Sequence, residues 1–259
     1  MQFIDTHCHL DAAEFGDTQA GLVRAAVAAG VSRIVIPAVE RANFGSVQAL
    51  CERLPHCAPA YGIHPMYVDD ATADDLSVLH DYLAQPSTVA VGEIGLDFFI
   101  DHYDRARQEY FFIEQLKLAH EYGLPVLLHI RRAQDTILKC LRQHKVRNGI
   151  AHAFSGSRQQ ADEFIKLGFK LGFGGAMTYP RATRLRELAA TLPLDSIVLE
   201  TDAPDIPPDF LERGHPNKPE YLPRITQTLA TLRGVSVEEI ARITTQNASC
   251  VLPKLSVPN

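Results

Sequence analysis

Met1-Gln2-Phe3-Ile4-Asp5-Thr6-His7-Cys8-His9-Leu10-Asp11 passes from an apolar run straight into acids and imidazoles. Such a stretch reads as a buried β-strand that carries chemistry at its C-terminal end. Side chains two apart on a strand share a face, so His7 and His9 aim two imidazoles at one spot. The same design recurs down the chain. Thr88-Val-Ala-Val-Gly-Glu-Ile-Gly-Leu-Asp97, Pro125-Val-Leu-Leu-His-Ile-Arg131, Gly149-Ile-Ala-His-Ala-Phe154 and Ser196-Ile-Val-Leu-Glu-Thr-Asp202 are all apolar runs that end in polar residues.

Helical stretches separate these runs. They are expected over Ala20–Gly30, Phe44–Leu54, Asp74–Leu83, Arg105–Tyr122, Gln134–Gln143, Gln159–Leu167 and Leu185–Leu192, with two more, Tyr221–Arg233 and Val237–Val251, closing the chain. Arg33–Ile36, Ala58–Ile63 and Phe169–Phe173 bring the strand-like runs to about eight. Strand and helix alternating in this way predict a parallel sheet covered by helices. Eight such units in about 250 residues are the arithmetic of a closed (β/α)₈ TIM barrel. A doubly wound open sheet is the competitor, but no Gly-x-Gly-x-x-Gly follows the first strand. No composition shift marks a boundary, so residues 1–259 are expected to form a single α/β domain. Ala203–Pro223, rich in proline, is the longest irregular segment and is expected to lie over one mouth of the barrel.

The net charge of -6 argues against a broad basic face for duplex nucleic acid, because such binding rests on Lys and Arg neutralising phosphates. It leaves open an enzyme that meets phosphate through metal ions. Five cysteines, widely spaced and without a Cys-x-x-Cys pair, read as reduced thiols. No signal-peptide pattern and no membrane-length apolar stretch are present, and the expected location is cytoplasmic.

The informative residues fall near the ends of strand runs: His7 and His9 on the first, Glu93 on the fourth, His129 on the fifth, His152 on the sixth and Asp202 on the eighth. In a barrel these ends open on one face, where such enzymes keep their active sites. Each alone has an ordinary explanation, such as a core histidine satisfied by backbone or a carboxylate accepting turn amides. Six together are better explained by one site. Four imidazoles and two carboxylates suit divalent ions such as zinc or manganese. His64 also follows a strand. His80, His120 and His144 lie in helices and His56 and His102 in loops, where solvated roles suffice.

Taken together, Asp5–Asp11, Gly62-Ile63-His64-Pro65, Gly92–Asp97, His129 before Arg131, His152–Ser157, Glu200-Thr201-Asp202-Ala203-Pro204 and Asn217 with Pro219 resemble the TatD family of metal-dependent hydrolases, in the family's order and over nearly the whole chain. The resemblance implies two divalent ions per chain (zinc, manganese or magnesium), bridged by Glu93. His7, His9 and Asp202 would hold one ion, His129 and His152 the other. It implies DNA or another phosphodiester as substrate, attacked from the 3′ end of a single strand, with His64, Arg131 and Asn217 as candidate substrate contacts. Two positions depart from the family pattern: Ala153, where many relatives carry a bulkier residue or Cys, and Lys218, where an acid is frequent.

Phosphodiester hydrolysis needs a nucleophile stronger than water and charge to meet the phosphoryl oxygens, both of which paired divalent ions supply. Asp202 and Glu93 are the candidate catalytic carboxylates, with Asp202 orienting the attacking water and taking its proton. Glu200, two residues earlier on the same face, is expected one layer deeper as a partner to a ligand. Arg131, Arg132, Arg158, Arg181 and Lys218 are expected near the mouth, as are Tyr67, Phe98, Phe99, Tyr103 and Tyr179. Such residues suit phosphate contact and base stacking, although surface charge and core packing account for them equally simply. Two other functions fit the same residues: hydrolysis of a small C–N or carboxylic ester bond, and a non-catalytic metal-binding protein. No membrane partner or obligate protein partner is expected.

Overall fold

The computed structural model describes residues 1–255; positions 256–259 of the expected domain lie outside the described residues. Eight parallel strands run in sequence order around one sheet. They are β1 (Phe3–Asp5), β2 (Val31–Pro37), β3 (Cys57–Tyr61), β4 (Ala90–Asp97), β5 (Val126–Arg131), β6 (Gly149–Ala151), β7 (Phe169–Phe173) and β8 (Ile197–Leu199). The seam between β8 and β1 is closed by Thr6, whose amide and hydroxyl both donate to Leu199 O at 3.1 Å. The helices that follow the strands are α1 (Gln19–Ala28), α2 (Arg41–Arg53), α3 (Ala73–Leu83), α4 (Arg105–Tyr122), α5 (Gln134–Gln143), α6 (Arg158–Lys166), α7 (Thr183–Thr191) and α8 (Leu222–Arg233). A ninth, α9 (Val237–Val251), completes the chain's helices among the described residues. The fold is the expected (β/α)₈ barrel.

Alternation along the strands sorts the core into two bodies. Outward residues such as Ile34, Ile36, Leu128, Leu171 and Leu199 pack beneath the helices. Inward residues Ile4, Val35, Ala58, Ala60, Ala90, Leu127, Ile150 and Val198 fill the barrel and meet Ala248 and Val251 of α9 and Leu252 just after it, which together plug the N-terminal end. Burying aliphatic side chains this completely contributes about 1.5–3 kcal/mol for each large one. The plug also decides where chemistry can sit. With the lower barrel packed solid, polar side chains find room only in the next inward layer, toward the strands' C-terminal ends.

Strand period sets that layer. His129 stands two residues beyond Leu127, His152 two beyond Ile150, and Glu200 two beyond Val198, so each keeps the inward direction of its apolar predecessor. Glu93 needs a correction of phase. Ala90 points inward and Val91 outward, so plain alternation would turn residue 93 outward. The β4–β5 register slips between Val91 and Ile94, which leaves Ile94 facing the helices and Glu93 the barrel.

The helices and loops follow local rules. Asp104 caps α4 by accepting from Arg107 N at 3.0 Å, and Gly123 ends it at φ 60°. Ser157 opens α6 in a reciprocal capping box with Gln160. Ala203–Pro223 is irregular as far as a short 3₁₀ turn at Pro219–Tyr221. No helix among the described residues is long and apolar enough to cross a membrane. All five cysteines are unpaired.

Candidate metal centre

Glu93, 2% exposed, sits at the middle of the polar layer. Its Oε2 lies 3.2 Å from His7 Nε2 and 3.4 Å from His9 Nε2. Its Oε1 lies 3.0 Å from His129 Nδ1 and 3.5 Å from both His64 Nε2 and His152 Nε2. Asp202 Oδ1 stands 3.7 and 3.6 Å from the Nε2 atoms of His7 and His9. The carboxylate therefore faces one donor set with each oxygen. The His7 ring stacks on His152 at 3.8 Å between centroids, which joins the two halves.

The backbone brings these groups together from far apart in sequence. β1 ends at Asp5, so His7 and His9 lie just past the strand rather than on its last residues. Their position is fixed by Asp5, whose carboxylate accepts from Thr201 N at 2.9 Å, Thr201 Oγ1 at 2.6 Å and His7 N at 3.3 Å. Asp202 N then donates to His7 O at 2.8 Å. This clamp holds the His7–His9 segment against Asp202, which adopts a left-handed φ of 58°, a conformation aspartate tolerates better than most residues.

Two further carboxylates orient imidazoles. Asp97 Oδ2 lies 3.0 Å from His129 Nε2, which leaves Nδ1 to face Glu93. Glu200 Oε1 accepts from Ala153 N at 2.6 Å and approaches His152 Nδ1 at 3.3 Å, leaving Nε2 to face Glu93. Gly172 makes this arrangement possible, because a Cβ there would come within 2.2 Å of Glu200 Oε2. Carboxylates behind imidazoles fix the tautomer and ring direction that ligands need. Glu200 thus stands where the sequence places it. Asp97 is the residue that sequence reasoning passed over. Its signal is present, since it lies four residues after Glu93 on the same strand face.

The charges of the centre balance against one another. Burial alone would raise the Glu93 carboxyl, but the imidazoles of His64, His7 and His152 and the contact with His129 hold it well below its usual range. Burial pushes Asp202 up to about 6. Burial and the neighbouring His152 bring His7 down to about 3. Burial opposes protonation of His9 and His152 too, yet the surrounding carboxylates raise them to about 9 and about 10. A centre that draws protons onto two buried imidazoles to offset its carboxylates is one that a divalent cation suits. His7 Nδ1 and Glu200 Oε2 are moreover buried without a hydrogen-bond partner. Three overlapping groups have ligand atoms within 4.8 Å of one another: His7, His9 and Asp202; His7, Glu93 and His152; His64, Glu93 and His129.

All six expected ligand-type residues therefore converge, and His64 joins them. The centre opens into a cavity of about 1000 Å³ that Tyr67 and Arg131 also line. The Arg131 guanidinium lies 3.9 Å over the Phe99 ring and 3.9 Å from Asp97 Oδ2. Asn217 does not reach the cavity. It is fully buried and its amide donates to Thr201 O at 2.7 Å and Ile206 O at 3.2 Å, ordering the loop after β8. Arg158 is bound to Asp162 at 3.0 Å, Lys218 faces Glu220 at 3.9 Å, Phe98 stacks on Tyr103, and Tyr179 donates to Pro207 O.

Known proteins resemble this chain over most of its length. A family model described as TatD related DNase matches residues 4–253. The chain is 46% identical over 250 residues to the uncharacterized metal-dependent hydrolase YjjV of Escherichia coli K12, covering 95% of this chain and 96% of that protein. It is 34% identical over 251 residues to the 3′-5′ ssDNA/RNA exonuclease TatD of Pantoea vagans, covering 94% and 96%. The crystal structure of Escherichia coli YjjV superposes with a TM-score of 0.93 at 43% identity, covering 97% of this chain and 98% of that one.

Proposed function

The chain belongs to the TatD-related DNase family of metal-dependent hydrolases, and from that premise we propose that it trims single-stranded nucleic acid from the 3′ end, with two divalent ions astride Glu93. The observation that carries this reading is the division of Glu93, one oxygen toward His7 and His9, the other toward His129, His152 and His64. In this reading His7, His9 and Asp202 would hold one ion and His129 and His152 the other, with His64 as a further candidate ligand. Divalent ions held there would supply Lewis acidity, acidifying a water and offsetting charge on the phosphoryl oxygens.

The chain's own residues do the rest. Glu93 sets the separation of the two halves and offsets their charge. Asp202, at the cavity surface, orients the attacking water and accepts its proton. Asp97 and Glu200 keep His129 and His152 turned toward Glu93. Arg131 at the rim meets a phosphate through its planar fork. A cavity of about 1000 Å³ is of the size that encloses one drug-sized ligand, which suits the end of a single strand.

Incubating the metal-loaded protein with 3′- and 5′-labelled linear single strands, a closed single-stranded circle and a panel of amides and carboxylic esters tests the reading. The linear strand is expected to shorten from its 3′ end, the circle to persist and a chelator to stop the reaction. Equal cutting of circle and linear strand would remove the strand-end model. Turnover of an amide or carboxylic ester with none of any phosphodiester would replace the substrate class.

A further inference from the structure

The mouth of the barrel is electrically lopsided. Asp11 and Glu14, from the segment after β1, and Glu40, from the loop after β2, line the main cavity on one side. In a closed sheet of strand order β1 to β8, the loops after β5 and β6 lie opposite that side and the loop after β7 stands next to them, two strands from β1. There a smaller cavity of about 360 Å³, lined by Ser155, Arg181, Thr183, Arg184 and Leu185, adjoins the main one and shares Ser155 and Leu185 with it. Asp205, from the loop after β8, lies between the two sides. A polyanion with one end at the metal centre is repelled by the acids on the β1 and β2 side. It has an open way out over Ser155.

We propose that Arg181 and Arg184 form a phosphate subsite that receives the next phosphodiester of a single strand whose end lies in the metal cavity. This rests on the reading of the chain as a nuclease and names the part of the substrate that leaves the centre. Arg184 is already held in place, since its guanidinium donates to Ser155 O at 3.0 Å. Arg181 leans over the Tyr179 ring at 5.1 Å. Among the described residues neither makes an ion pair with a carboxylate, whereas Arg142 and Arg158 nearby are committed to Glu163 and Asp162. Two guanidinium forks without a counter-ion suit the paired oxygens of a phosphodiester, and the Ser155 and Thr183 hydroxyls add donors. Leu185, common to both cavities, offers an apolar step for the sugar or base between them.

The test compares the wild type with Arg181→Ala/Arg184→Ala and Arg181→Lys/Arg184→Lys, on bis(p-nitrophenyl) phosphate and on single-stranded DNA of two, four and eight nucleotides. The Ala variant is expected to keep wild-type turnover of bis(p-nitrophenyl) phosphate, which also certifies its fold. Its KM for four and eight nucleotides should rise roughly 10-fold or more, as when charged hydrogen bonds are lost. Its plot of log kcat/KM against log salt on eight nucleotides should be shallower by about 1.4, the release expected for two lost contacts to a single strand. The Lys variant should recover that slope. An unchanged KM on the longer strands overturns the subsite, as does an equal loss on bis(p-nitrophenyl) phosphate and on eight nucleotides. A wild type that hydrolyses bis(p-nitrophenyl) phosphate but no DNA defeats the nuclease reading and the subsite with it, so the two failures are told apart by the wild type alone.

Discussion

Glu93→Gln is expected to lose at least roughly 100-fold in turnover on any phosphodiester, since even partners behind metal ligands are worth about 10–100-fold, and to retain at most one divalent ion per chain. Gln keeps the volume and leaves the packing of the inward layer intact. What it removes is the charge that both donor sets share. Glu93 is 2% exposed and has five imidazoles within 3.5 Å, so no other carboxylate can replace it from solvent. Elemental analysis beside an assay on bis(p-nitrophenyl) phosphate gives both numbers. Two retained ions with turnover near wild type would take Glu93 out of the centre.

Asp202→Asn is expected to lower turnover by about 10²–10⁴-fold at saturating metal, with little change in the melting temperature. Asparagine tolerates the left-handed backbone at this position as well as aspartate does. The structural link of the residue is its amide, which donates to His7 O and is untouched by the substitution. The loss therefore reports on chemistry and not on folding. The assay is turnover of a short single strand across a range of metal concentration, with thermal melting as the control. Recovery of full turnover at high metal would make Asp202 a ligand alone and move proton acceptance elsewhere.

Much of this centre is written in strand period. His129, His152 and Glu200 each follow an inward apolar residue by two positions, and a reader of the sequence can place all three. Glu93 is different. Simple alternation from Ala90 points it the wrong way, and only the register slip beside it, a property of how β4 pairs with β5, turns it inward. The convergence of His7 and His9 also has a cause that the local sequence hides. They lie beyond the end of β1, and it is the Asp5–Thr201 clamp, spanning 196 residues of chain, that directs them. Asn217 illustrates the opposite error. Its place in a motif marks it as important without saying for what, and its buried amide proves to order a loop. The mouth arginines were legible only as charge. Which of them stay without a partner depends on neighbouring helices, as the capture of Arg158 by Asp162 shows.

In the proposed centre one carboxylate, Glu93, divides two metal positions. Calorimetric titration of the chelator-stripped protein with Mn²⁺ or Zn²⁺ tests this most directly. Saturation at two ions per chain is the predicted result; saturation at one ion, or no binding at all, would contradict it.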